Sequence, residues 1–303
     1  MHIVQRVFCA LPRSRRSLVF SLICLLLLAG CRVGNPEPGL ESGGAIQAIE
    51  NKGSDTLVNL ALAWAERYTT LRPDVRISVT GGGSGTGIAA MINGTVDIAN
   101  ASRAMKAEEV EAAQENGITP VEFVVARDAI AVVVHPDNPV DRLTIDQISD
   151  MYTGKITRWS QVGGADRPIV LLSRESNSGT YVYFLENVVR KGQESDLLFS
   201  PDTLLMPSSE GISAEIRQNP NTIGYDGLGY VTHDQKVVAV APGAGRPHVL
   251  PSVATVNDGT YPISRPLYMY TAGEPQGEIA TYMDWILGDG QALVSEVGFV
   301  PLK

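Results

Sequence analysis

Glycine and hydroxyl residues stand immediately ahead of apolar, helix-like runs at three places in this chain: Gly53-Ser54-Asp55-Thr56, Gly83-Ser84-Gly85-Thr86-Gly87 and Ser176-Asn177-Ser178-Gly179-Thr180. Arg174 just precedes the third. The first amides of a helix lack partners within it, and the helix dipole concentrates partial positive charge there, so such a loop suits an oxyanion. Each loop alone is explained by the preference of Ser, Thr, Asp and Gly for N-cap positions. The set is not, because glycines beside the hydroxyls let the backbone approach a ligand, and Arg174 adds a planar cation suited to an oxyanion. Together they point to one oxyanion gripped from several sides.

The surrounding elements must bring these loops together. Val75 to Thr80 reads as a strand entering Gly81-Gly82-Gly83, with a helix from Ile88 to Ile92. Ile169 to Ser173 repeats the plan, with Tyr181 to Val189 as its helix, and Leu57 to Tyr68 has apolar residues three and four apart, as an amphipathic helix should. Alternating strands and helices indicate an α/β fold, in which ligands sit where strand C-terminal ends meet helix N-termini. About 260 residues favour two lobes over one core. Ala129 to Val134 is a continuous apolar run suited to crossing a buried sheet. The expected division is a first lobe from residues 45–127 and 255–303 and a second lobe from 128–254, the return crossing falling where Pro, Gly and Ser punctuate the chain after Val240.

The ends and the charge narrow the function. Residues 1–30 carry Arg6, Arg13, Arg15 and Arg16, no acid, and an apolar stretch from Leu18 to Leu28, the pattern of an export signal. They end in Leu28-Ala29-Gly30-Cys31, similar to the lipobox of bacterial lipoproteins, in which the cysteine is lipidated and becomes N-terminal. Residues 31–44, rich in Gly, Pro, Glu and Ser, read as a tether of roughly 20 Å reach. An exported, lipid-anchored protein at a bacterial membrane, periplasmic or cell-surface, is the expectation. Cys9 and Cys24 leave with the leader, so no disulfide framework is expected. His135, His233 and His248 lack metal-ligand spacing, and neither a metal nor a cofactor is expected. The net charge of −9 becomes −13 when the four leader arginines are removed, which argues against nucleic acid as a partner. An acidic protein that binds an anion must rely on local dipoles and a buried arginine.

The Gly-Ser-Gly-Thr-Gly loop, the run Val96-Asp97-Ile98-Ala99-Asn100-Ala101-Ser102-Arg103 and the run from Arg174 to Thr180 resemble the phosphate-binding proteins of the bacterial ABC-type high-affinity phosphate uptake system. So do Leu143 to Gly164, Ile223-Gly224-Tyr225 and the ending Val297 to Leu302, in the same order along the chain. The resemblance implies a type II periplasmic binding protein fold, with two α/β lobes, two crossing segments and a ligand cleft between them. It implies no catalysis, a monomer, inorganic phosphate as ligand and a membrane-embedded ABC permease as partner. Carried over by position, the phosphate-binding residues are Ser54, Thr56 and the Leu57 amide from the first loop, Ser84 from the second, and Arg174, Ser178, Gly179 and Thr180 from the third. Ser102 stands where the family often has an aspartate that accepts the proton of bound phosphate and repels sulfate, and Arg103, which follows it, is a candidate second cation on the ligand that would favour a dianion. A hydroxyl accepts that proton without repelling sulfate, so a receptor for another tetrahedral oxyanion, such as sulfate or molybdate, is the alternative. Asp55 and Glu175 are candidate substitute acceptors. A secreted phosphatase is the enzymatic alternative, although Ser84 and Ser178 have no evident base in the sequence.

Overall fold

The computed structural model describes residues 46–302, so the expected leader, Cys31 and the tether lie outside the described residues. In chain order the strands and helices are β1 (Gln47–Gly53), α1 (Asp55–Leu71), β2 (Val75–Thr80), α2 (Ser84–Ile92), β3 (Ile98–Ala101), α3 (Ala107–Glu115), β4 (Val121–Val134), β5 (Arg142–Thr144), α4 (Ile145–Tyr152) and β6 (Val170–Arg174). There follow α5 (Gly179–Phe184), β7 (Leu204–Met206), α6 (Ser209–Gln218), β8 (Thr222–Gly227), β9 (Lys236–Ala241), α7 (Val253–Asn257), β10 (Ser264–Thr271), α8 (Gly277–Leu287) and α9 (Gln291–Glu296).

Hydrophobic spacing dictates much of this. In α1 the buried residues Leu57, Leu60, Ala61, Trp64, Ala65 and Tyr68 recur at three- and four-residue intervals, which gives one apolar face. That face joins Ile49 of β1, Leu267 and Met269 of β10, Tyr282 of α8 and Phe299 in the first core. The indole Nε1 of Trp64 donates to the Gly290 carbonyl at 2.7 Å, so the ring is buried without an orphaned donor. The second core gathers Ile130 and Val132 of β4, Tyr152 of α4, Phe184 of α5, Tyr225 of β8 and Val240 of β9.

One strand path runs β2-β1-β3-β10-β4-β8-β6-β7, with β9 pairing both β4 and β5. The β1–β2 and β1–β3 pairs are parallel, as are β6–β7 and β6–β8, so β1, β3 and β6 deliver their C-terminal ends to loops that open helices. The 14-residue β4 serves both lobes, pairing with β10 from Val121 to Ala129 and with β8 from Ile130 to Val134. Its first part alternates between partly buried and exposed side chains, whereas Ala129 to Val134 is buried throughout. The continuous apolar run read from the sequence therefore marks the part of β4 covered on both faces.

The helix starts differ from the simplest reading of the sequence. The helices after the second and third loops begin at Ser84 and Gly179, so the glycine and hydroxyl residues form their first turns. Val256, Tyr261 and Ile263 pack in the second core, and the Tyr261 hydroxyl donates to the Ile130 carbonyl of β4 at 2.7 Å. Val300, near the C-terminus, packs in the same core, so these contacts do not by themselves place the return crossing. The Pro/Gly/Ser punctuation after Val240 belongs to the turn that returns Val249 to an isolated bridge with Val240.

Gly53 ends β1 at φ 146°, and a Cβ there would lie 3.0 Å from the Asn100 carbonyl carbon and closer still to its oxygen. This close approach lets the Ser54 amide donate to the Asn100 carbonyl at 2.9 Å, which aims the first loop. Gly53→Ala is expected to destabilise the protein by at least about 2 kcal/mol, through strain and overpacking together. Equilibrium urea unfolding checks this.

Candidate functional site

The three loops meet. Ser54, Thr56, Leu57, Ser84, Ser102, Ser178, Gly179 and Thr180 are all buried at the C-terminal edge of the parallel strands. Thr56 Oγ1 of α1 lies 2.9 Å from Thr180 Oγ1 of α5. Ser84 Oγ of α2 lies 3.3 Å from Ser102 Oγ, and it accepts the Ser102 amide at 3.0 Å. Gly179 closes the group, because a Cβ there would fall within 2.6 Å of Ser102 Oγ and closer to Ser84 Oγ. Only glycine allows these hydroxyls to approach one another. The N-caps of α1 and α2, Ser54 and Gly83, make no side-chain cap bond. By contrast, Ser178 caps α5 by accepting the Thr180 amide at 3.2 Å, and the Leu57 amide donates to the Ser54 carbonyl at 3.0 Å. Asn177 ties the lobes across the site, its Nδ2 donating to the Gly82 carbonyl at 2.9 Å and its carbonyl accepting the Gly85 amide at 3.1 Å.

Arg174 ends β6 with its side chain 1% exposed, and most of its donors are engaged. Nη2 donates to Asp55 Oδ2 at 2.7 Å and to the Pro207 carbonyl at 3.1 Å, and Nη1 donates to Ser209 Oγ at 3.0 Å. Asp55 also accepts the Gly82 amide, at 2.9 Å, so one carboxylate joins the first loop, the second loop and the arginine of the third. Glu175, the other candidate acceptor, has an exposed side chain. Arg103 is 8% exposed and forms a two-pronged pair with Glu109, at 2.7 Å to each carboxylate oxygen.

Two further charges were not singled out in the sequence. Arg265, near the start of β10, donates from Nη2 to Thr180 Oγ1 at 2.9 Å and to Thr56 Oγ1 at 3.4 Å, and from Nη1 to the Ser102 carbonyl at 3.0 Å. Asp128 of β4 is its counter-ion, with Nη2 to Oδ2 at 3.0 Å and side-chain exposures of 1% and 0%. Burial pushes the Asp128 carboxyl up, against the opposing pull of Arg265 and of the Leu228 amide. The available signal was an acid standing immediately before a buried apolar run, where an unpaired charge is prohibitively costly. Nothing near Arg265 in sequence announced it.

Asp226 is a buried residue of β8. Its Oδ1 accepts Ser209 Oγ at 2.8 Å and the Gly227 amide at 2.8 Å, while among the described residues Oδ2 has no partner. Burial is the main reason its pKa is pushed up to about 7, with Arg174, Ser209 and the Gly227 amide pulling the other way. The native state therefore holds this proton to higher pH than the unfolded chain does, so the Asp226 contribution to stability declines as pH rises from about 4 to about 7. Asp226→Asn keeps a neutral side chain at every pH. Its stability relative to the unaltered protein should improve by about 2–4 kcal/mol between pH 4.5 and 8. Denaturant melts across that range measure the difference.

The geometry is that of an anion site: hydroxyls from both lobes, helix N-termini and two buried guanidinium groups, each balanced by a carboxylate. Residues 40–290 match the family model of the PBP superfamily domain. The phosphate-binding protein PstS of Pseudomonas aeruginosa is 35% identical over 280 residues, 86% of this chain and 85% of that protein. Protein SphX of Synechococcus elongatus is 34% identical over 278 residues, 88% of this chain and 80% of that protein. A putative phosphate ABC transporter substrate-binding protein from Clostridium perfringens, crystallised with bound phosphate, superposes with a TM-score of 0.76 at 33% identity, covering 85% of this chain and 100% of that one. With the two-lobed fold and these relatives together, the chain belongs to the PBP superfamily and, within it, to the family of the phosphate-binding protein PstS.

Proposed function

We propose that the protein captures inorganic phosphate between its lobes and delivers it to a membrane-embedded ABC permease for import. The observation that carries this reading is the meeting of Thr56, Ser84, Ser102 and Thr180 from both lobes beside the buried Arg174 and Arg265. Hydroxyls donate to phosphate oxygens or accept the proton of hydrogen phosphate, and amides at the starts of α1, α2 and α5 supplement them. Two guanidinium groups, each paired with a carboxylate, supply directed donors inside a buried site. Arg174, Ser178, Gly179, Thr180, Ser54, Thr56, the Leu57 amide, Ser84, Ser102 and Arg103 are the residues assigned to the ligand or its immediate frame. Because Arg103 is paired with Glu109, it acts by fixing the loop after Ser102.

The protein works as a receptor, and no bond of the ligand is made or broken. Ser84 Oγ is engaged with Ser102 and Ser178 Oγ with the Thr180 amide, an arrangement of donors and caps in which, among the described residues, neither serine is bonded to a general base. The folded part is held at a bacterial membrane by a lipid on Cys31, through the tether of residues 31–44, and it acts as a monomer on the periplasmic or outer face. Selectivity against sulfate rests on a proton acceptor other than the aspartate usual at the Ser102 position.

Titration calorimetry of protein freed of bound ligand by unfolding and refolding tests the reading. Micromolar or tighter phosphate binding is expected, and Arg174→Ala or Gly179→Ala should weaken it at least about 100-fold with the far-ultraviolet circular dichroism preserved. Absence of phosphate binding by the unaltered protein would remove the reading altogether.

A further inference from the structure

Arg265 stands between two environments. Inward, its guanidinium bonds to Thr56, Thr180 and the Ser102 carbonyl, the groups that line the proposed anion site. Outward, it lines an open cleft of about 360 Å³, together with Arg103, Lys106, Tyr183 and Tyr268. Its guanidinium carbon sits 5.6 Å from the centre of the Tyr183 ring, a cation–π contact that fixes the plane of the fork. An anion entering through this cleft meets Arg265 at the threshold of the hydroxyl cluster.

Three features separate this arrangement from a structural ion pair. Asp128 faces Arg265 directly across the β4–β10 ladder, and Oδ2 receives both Nε at 3.3 Å and Nη2 at 3.0 Å, so one edge of the guanidinium is anchored. Nη1 is spent on the Ser102 carbonyl, whereas Nη2 also reaches two threonine hydroxyls, acceptors that can turn and be replaced by a ligand oxygen at little cost. Thr56 and Thr180 both accept from Arg265 and one of them donates to the other, so one of the two hydroxyl protons is left directed away from the cation, available to an anion. Arg174, for comparison, spends its donors on a carboxylate, a serine and main-chain carbonyls, acceptors already fixed by the fold.

We propose that Arg265 is a phosphate-contacting and specificity-determining residue of this site, and that Asp128 sets the charge it presents to the anion. The proposal rests on the phosphate reading above. With Asp128 ionised, the Arg265 pair is close to neutral and offers directed hydrogen bonds more than net charge, which suits an anion that can retain a proton. Without the Asp128 charge, the same fork favours any fully ionised dianion, sulfate included.

The test uses the full chain, ligand-freed, with phosphate and sulfate titrated separately and thermal melts recorded with and without each anion. Arg265→Gln is expected to weaken phosphate binding at least 100-fold and to abolish the phosphate-dependent rise in Tm. Asp128→Asn should raise sulfate affinity relative to phosphate by at least tenfold, a readout that a purely structural pair would not move. Because a single substitution strands a buried charge, Arg265→Gln/Asp128→Asn removes both together, and Arg265→Lys keeps the charge while losing the fork. Both folded variants should bind phosphate at least tenfold more weakly, with the anion-free Tm of Arg265→Lys close to the unaltered value. Phosphate affinity unchanged in Arg265→Lys or in the double variant overturns the assignment of Arg265, and an unchanged phosphate-to-sulfate ratio in Asp128→Asn overturns that of Asp128. A failure of the unaltered protein to bind phosphate would instead count against the function of the site as a whole.

Discussion

A guanidinium group buried to 1% exposure must be surrounded by fixed acceptors, and this fold meets that requirement twice at one place, with Arg174 and Asp55 and with Arg265 and Asp128. Neither pair is local. Arg174 ends a strand of the second lobe and Asp55 begins a helix of the first, while Arg265 and Asp128 come from the two strands by which the chain passes between lobes. Removing one partner from such a pair leaves an uncompensated buried charge, which costs about 3–5 kcal/mol. The lobes and crossings are therefore held in register by the same groups that are proposed to frame the anion site.

This arrangement explains how a strongly acidic chain can host an anion. Long-range repulsion from the surface is screened over roughly 10 Å at ordinary ionic strength, whereas donors within the closed cleft act at contact distance in a low-dielectric surrounding. The pairing of Thr56 with Thr180 joins elements 124 residues apart, and the small volume of Gly179 lets its loop pack against the Ser84 and Ser102 hydroxyls. Asn177 adds a bond from the third loop to the second.

Features encoded locally were legible in the sequence. Glycine and hydroxyl residues ahead of an apolar run announce a helix start, and the intervals from Leu57 to Tyr68 announce its buried face. The two-lobed α/β fold and the convergence of the loops followed from these together with the family resemblance. The Arg265–Asp128 pair was not legible, because its members lie 137 residues apart and become neighbours only when β10 pairs antiparallel with β4. Local punctuation says little about core membership for a similar reason. Pro and Gly after Val240 mark a turn, but turn chemistry does not say to which core the following residues go, and Tyr261 and Ile263 are claimed by the second. Asp226 beside Gly227 has the composition of a turn, yet pairing of β8 with β4 and β6 makes it a buried strand residue.

The measurement that tests this account most directly is a crystal structure of the protein grown with phosphate. The account predicts one phosphate between the lobes, its oxygens within about 2.6–3.1 Å of the Thr56, Ser84 and Thr180 hydroxyls and of an arginine nitrogen, with the Thr56–Thr180 contact opened to receive it. A phosphate bound elsewhere, with those hydroxyls still paired to one another, would contradict it.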